Sequence, residues 1–201
     1  MATYNEIRSN IKTGDIVLFS GKGGVSPFIK WFTRSKWSHI GMALCLPEWD
    51  MVLLWESTTL DDIKDIEDGI TKRGVQLVAL SDRIRTYKGG VAVRHLSIGI
   101  TESMRQQLSS FRNEVKNRPF EKDKIEMIKA GYDGPFGENI EDLSSLFCSE
   151  MVAEAYQRMG LLHEPPQGKP SNEYTPREFS SANTELELLQ GATLGEEIEI
   201  T

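Results

Sequence analysis

The chain has 201 residues, 39% hydrophobic and 26% charged, a composition that fits one globular domain large enough to bury a continuous core. A formal charge of -7 and a pI near 5.1 argue against a surface that tracks phosphates, so nucleic acid is not an expected partner. The two cysteines are too few for a disulfide framework and lack the partner spacing of a structural zinc site. No metal or cofactor is therefore expected, and each cysteine needs its own explanation.

The opening MATYNEIRSNIKTGD has no apolar core of signal-peptide length, and no later run approaches the roughly 20 apolar residues of a membrane span. A cytoplasmic location is the expectation. GDIVLFSG reads as a turn followed by a short buried strand. SPFIKWFTRS, with Ser26 as a cap and Pro27 at the first helical position, reads as a short helix. WSHIGMALCL and MVLLWEST are two strands joined by Pro47, Glu48, Trp49 and Asp50, a hairpin with a loop of about four residues.

Parity tests this hairpin. If Leu46 pairs with Met51, Gly41 pairs with Glu56, and His39 lies two residues along on the same face. A wider loop pairing Leu44 with Met51 sets His39 directly opposite Glu56. Either register projects the imidazole and the carboxylate from one face, with backbones roughly 5–8 Å apart.

The acidic stretch TTLDDIKDIEDGITKRG reads as a solvated loop, with a lid as its functional alternative. GVQLVAL and GGVAVRHLS predict two more strands flanking a short helix around SDRIRTY. TESMRQQLSSFRNEVKN carries Met104, Leu108, Phe111 and Val115 at helical spacing behind a Thr101 cap and should pack on the sheet. After Pro119 the chain becomes irregular through GYDGPFGE. A helix carrying FCSEMVAEAY follows, then the surface connection PPQGKPSNEYTP, then a tail whose alternation suggests an edge hairpin.

Cys148 is the candidate nucleophile. Cys148, Met151 or Val152, Ala155 and Met159 follow helical spacing, and a cap at Ser144 or Ser145 places the thiol in the first turn. Backbone N–H groups and the positive end of the helix dipole there favour thiolate over thiol. Cys45, inside an apolar strand, reads as packing. Of the three histidines, His163 lies just past a helix end and His95 lies on a strand as a rival. His39 is preferred, because Gly41 and Ala43 on its face leave room for another element and Glu56 can orient the ring. GKGGV lacks the Lys-Ser/Thr ending of a phosphate-binding loop and does not point to a nucleotide.

GDIVLFSG, WSHIGMAL, LLWES, YDGPFGENIEDLSSLFCSEMVAEAYQRMG and YTP, in that order over residues 14–176, resemble the circularly permuted papain-like hydrolases of the NlpC-type superfamily, especially the YiiX/YaeF-like branch. In that branch the histidine strand precedes the cysteine helix, as here. The resemblance implies an α+β, permuted papain-like domain over 1–201, with an antiparallel sheet or small barrel packed against the cysteine helix. It implies Cys148 as nucleophile, His39 as base, Glu56 as the orienting carboxylate, and an acyl-enzyme. The Cys148 backbone N–H is the expected oxyanion donor. Trp37, Ser38, Trp55 and Tyr132 flank the matched motifs as candidate substrate-binding residues.

The function expected is a cysteine amidase or peptidase acting on small or cell-wall-type peptides. Similarity of the branch to lecithin:retinol acyltransferase-like proteins makes acyl transfer or lipid deacylation the alternative, with Trp31, Phe32 and Trp37 as an apolar entrance. A non-catalytic binding module on the same fold is a further one.

Overall fold

The structure is a computed structural model that describes residues 1–21, 35–116, 118 and 140–201. Its centre is an open antiparallel sheet of six strands: β1 (Ile16–Gly21), β2 (His39–Leu46), β3 (Met51–Thr58), β4 (Gly74–Ala79), β5 (Gly89–Arg94) and β6 (Ile198–Ile200). The spatial order is β4-β3-β2-β1-β5-β6. The fold is thus α+β, and with β4 and β6 as edges the sheet is not the small barrel that was the other expectation. Four helices are described: α1 (Tyr4–Ile7), α2 (Leu80–Thr86), α3 (Glu102–Val115) and α4 (Ile140–Arg158). Among the described residues no helix is long and apolar enough to cross a membrane.

Both faces of the sheet are covered, which is why β1 and β3 read as unbroken apolar runs instead of alternating ones. On one face Ile16, Leu18, Ile40, Met42, Leu53 and Trp55 share a cluster with Met104, Leu108 and Phe111 of α3 and with Met151, Val152 and Tyr156 of α4. On the other, Val17, Phe19, Ala43, Leu54 and Val78 meet Ile7, Ile11, Ile63 and Leu80. The period-two alternation of strand side chains assigns each residue to its layer. Thr101 caps α3 by accepting the Met104 N–H at 3.2 Å, as its sequence predicts.

The hairpin adopts the first of the two registers. Leu46 pairs with Met51 and Gly41 with Glu56, around a 3-10 turn at Pro47–Trp49 and a left-handed Asp50. The expected helix at 26–35 falls almost wholly on residues outside those described, as does the irregular stretch after Pro119.

Two expectations are corrected. The acidic segment after β3 is more than a solvated loop, because Ile63 and Asp65 are buried in it. Asp65 accepts the backbone N–H groups of Glu67, Asp68 and Leu77, which fastens the loop to β4. The tail forms a single edge strand, β6, and not a hairpin, because Leu194 and Ile198–Ile200 pair with Leu96 and Val91–Val93 instead of with each other. Arg94 holds that tail against β5, donating from Nε, Nη1 and Nη2 to the carbonyls of Gly195, Phe179 and Leu194 at 2.6, 2.8 and 2.8 Å.

Candidate active site

His39 is the first residue of β2, and the β2–β3 ladder ends two residues further in, at Gly41↔Glu56. Glu56 shares its face with Leu54, in the layer that includes Leu80 of α2. Cys148 belongs to the opposite, helix-covered layer. The strand end is where these layers communicate: a ring held by Glu56 on one side is met there by the Cys148 sulfur from the other.

His39 Nε2 lies 2.7 Å from Glu56 Oε2. His39 is 7% exposed, Glu56 and Cys148 not at all, and Phe19 packs against the imidazole with centroids 5.4 Å apart. With Nε2 engaged, Nδ1 is the nitrogen left for the sulfur; it is buried without a nitrogen or oxygen partner among the described residues. Burial works against a charge on His39, but the Cys148 sulfur and then Glu56 outweigh it and push the imidazole up to about 9. Burial likewise disfavours a charge on Glu56, yet the His39 hydrogen bond, the Arg83 charge and the Gln76 amide hold the carboxyl down at about 2. When the ring is protonated, its Nε2–H donates to an ionised Glu56.

Glu56 is anchored by more than its histidine. Oε1 accepts Arg83 Nε at 2.9 Å, Arg83 Nη2 at 2.7 Å and Gln76 Nε2 at 2.9 Å. Gln76 is the β4 residue directly opposite Glu56, and Arg83 is a wholly buried arginine of α2. Neither was singled out by the sequence. The available signal was polarity at inward positions: Gln76 interrupts GVQLVA, and Arg83 falls one turn after buried Leu80.

The helix start is corrected. α4 begins at Ile140, so Cys148 lies two turns inside it and not in the first turn. There the backbone N–H serves the i−4 ladder, so neither the dipole argument nor the oxyanion role of the Cys148 N–H holds. The room beside His39 is also filled differently: a Cβ on Gly41 would come within 2.6 Å of Leu54 Cδ1, so the neighbouring strand occupies that space.

The flanking residues are placed as follows. Trp37 is buried in the cluster that holds Cys148, and its Nε1 donates to Glu197 at 2.7 Å. Ser38 is half-buried, with its N–H on the Phe19 carbonyl at 2.9 Å. Trp55 is 2% exposed and meets Phe111 edge-on at 5.7 Å, on the face opposite Glu56. Tyr132 lies outside the described residues. Cys45 is half-buried and its Sγ donates to the Ile11 carbonyl at 3.2 Å.

No family model matches the chain. No curated protein matches it. Among solved structures it is similar to the crystal structure of the metalloprotein YiiX from Escherichia coli O157:H7, DUF1105. The two share 23% identity with a TM-score of 0.46 over 74% of this chain and 66% of that one. The chain therefore spans about two thirds of the length of that structure. Among the described residues here, no group of three or more His, Cys, Asp or Glu is arranged to hold a metal ion.

Proposed function

We propose that the chain is a cysteine hydrolase of permuted papain-like fold that cleaves an amide bond in a small or cell-wall-type peptide. Cys148 is the nucleophile, His39 the acid–base and Glu56 the orienting carboxylate. One observation supports the reading: a single imidazole places Nε2 2.7 Å from a buried carboxylate, leaves a buried Nδ1 without a nitrogen or oxygen partner, and lies within reach of the buried Cys148 sulfur.

The chemistry follows from that arrangement. The Cys148 thiolate attacks the carbonyl carbon, and the His39 imidazolium gives its Nδ1 proton to the departing amine, which leaves a thioester on the sulfur. Neutral His39 then takes a proton from water as it attacks the thioester. Collapse releases the acid and restores the thiolate–imidazolium pair. Glu56 keeps Nε2 protonated throughout, so Nδ1 is the nitrogen that exchanges protons.

The test uses iodoacetamide at pH 6–7 and a panel of dipeptides and short acyl-lipids. Cys148 should react faster than a free thiol, and His39→Ala should abolish the advantage. Peptide cleavage lost in both Cys148→Ala and His39→Ala completes the reading. Cleavage of the lipids alone would move the substrate to acyl lipid, and a Cys148 no more reactive than free thiol would leave a binding module instead of an enzyme.

A further inference from the structure

We infer that Arg83 is a positioning residue for this site: it fixes one carboxylate oxygen of Glu56, so that the other faces His39, and balances the carboxylate charge, so that the imidazolium is matched by the Cys148 thiolate. The inference rests on the reading of Cys148 as nucleophile.

The carboxylate is used asymmetrically. Three N–H groups, two from Arg83 and one from Gln76, converge on Oε1, whereas Oε2 receives His39 Nε2. Rotation of the carboxylate would break all three, so Oε2 is held where the ring needs it. Arg83 is itself fixed from behind: Nη1 donates to Asp62 Oδ1 at 2.8 Å, from a loop residue whose side chain is 42% exposed. A guanidinium suits the task because its planar donors meet two acceptors in set directions and it stays charged.

Charge supplies the second half. The line Asp62, Arg83, Glu56, His39, Cys148 alternates in sign when the thiol is ionised. Without Arg83, His39 would be the cation left to a buried Glu56 and would hold its protons more tightly, including the Nδ1 proton it has to give to the departing amine. Among the described residues, the charged or titratable groups that act on the ring are Cys148 from α4, Glu56 from β3 and, through Glu56, Arg83 from α2 with Asp62 behind it. Phe19 of β1 packs on the ring and Gln76 of β4 bonds its Glu56 partner, both without charge.

NMR titration of the His39 ring tests this directly, because the chain has three histidines and His95→Gln and His163→Gln assign the rest. Removing a cation from Glu56 should raise the His39 midpoint in Arg83→Met by about one unit, whereas Glu56→Gln should lower it. The double variant should follow Glu56→Gln. In parallel, iodoacetamide labelling of Cys148 at pH 6 should slow about tenfold to a hundredfold in Arg83→Met. An arginine that only stabilises the fold leaves midpoint and labelling rate unchanged in the folded variant, and that result overturns the inference. Should Arg83→Met not fold, Arg83→Lys decides: it keeps the charge but not the paired donors, so labelling should slow with little change in midpoint, and wild-type labelling overturns the proposal. Failure of the underlying reading looks different, for then wild-type Cys148 labels as an ordinary thiol and Cys148→Ala leaves the His39 midpoint where it was.

Discussion

His95 Nδ1 and Asp15 Oδ2 lie 2.6 Å apart at the end of β1 remote from His39, a second imidazole–carboxylate pair with different wiring. Asp15 is wholly buried and also accepts the backbone N–H groups of Lys12 and Leu96, both at 2.9 Å. Its carboxylate therefore ties the entry of β1 to the exit of β5, and His95, 30% exposed at its side chain, covers it. This pair is structural, while that of His39 faces a thiol. His95→Gln should leave Cys148 labelling unchanged. Asp15→Ala, which strands the buried Leu96 N–H, should cost about 2–3 kcal/mol in urea unfolding. Loss of Cys148 reactivity in His95→Gln would count against His39 as the base.

The two thiols should separate in a labelling experiment. Burial first, and then the Asp15 charge, push the Cys45 thiol up to about 11. At pH 7 its thiolate fraction, and with it its alkylation rate, should fall about a hundredfold or more below that of a free thiol. Peptide mapping after brief iodoacetamide treatment should find the label on Cys148, and Cys45→Ala should keep activity. Label accumulating on Cys45 ahead of Cys148 would reverse the assignment.

Register and layers were legible because they depend on local rules. Period-two alternation fixes the shared face of His39 and Glu56 in either register, and the structure selects Leu46↔Met51 from the two that parity allows. What could not be read depends on docking. Arg83 reaches Glu56 only because a seven-residue helix settles on the sheet face that carries the carboxylate, and no spacing in the sequence encodes that 27-residue separation. The start of α4 was misplaced for a different reason: Ser144 and Ser145 are good caps, but serine is also tolerated inside a helix, and IEDL continues the helical run upstream to Ile140. Trp37 and Trp55 sit in the apolar cluster with Cys148, a placement that aromatic residues beside a motif do not distinguish from a pocket wall.

Stability should depend on pH through the same ion pairs. The His39 value is raised from 6.5 to about 9, so its contribution is complete below about pH 6.5 and is lost as pH rises through about 9. That of Glu56 is lowered from 4.5 to about 2, so its contribution is complete above about pH 4.5 and is lost as pH falls through about 2. Thermal unfolding from pH 5 to 10 should show a decline between 6.5 and 9 that His39→Ala removes. In Cys148→Ala the decline should move to lower pH, because the sulfur is the strongest influence favouring the imidazolium. A decline unchanged by both substitutions would assign it to other groups.

Replacing Glu56 by Gln would be a mild change if the carboxylate only oriented a histidine at a strand end, and the fold would be expected to survive it intact. The Arg83 side chain changes that expectation, since it is wholly buried and makes two of its three carboxylate bonds to Glu56. Gln at 56 leaves the guanidinium with Asp62, a half-exposed side chain, as its remaining carboxylate among the described residues. Breaking one side of a buried ion pair costs about 3 kcal/mol or more, so Glu56→Gln should lower the urea midpoint as well as turnover. Glu56→Gln with Arg83→Met removes the stranded cation together with its partner, and this double variant should recover most of the stability but none of the turnover. If Glu56→Gln alone unfolds at the wild-type urea concentration, the buried pair is not holding the site together, and the loss of turnover has to come from the His39 contact alone.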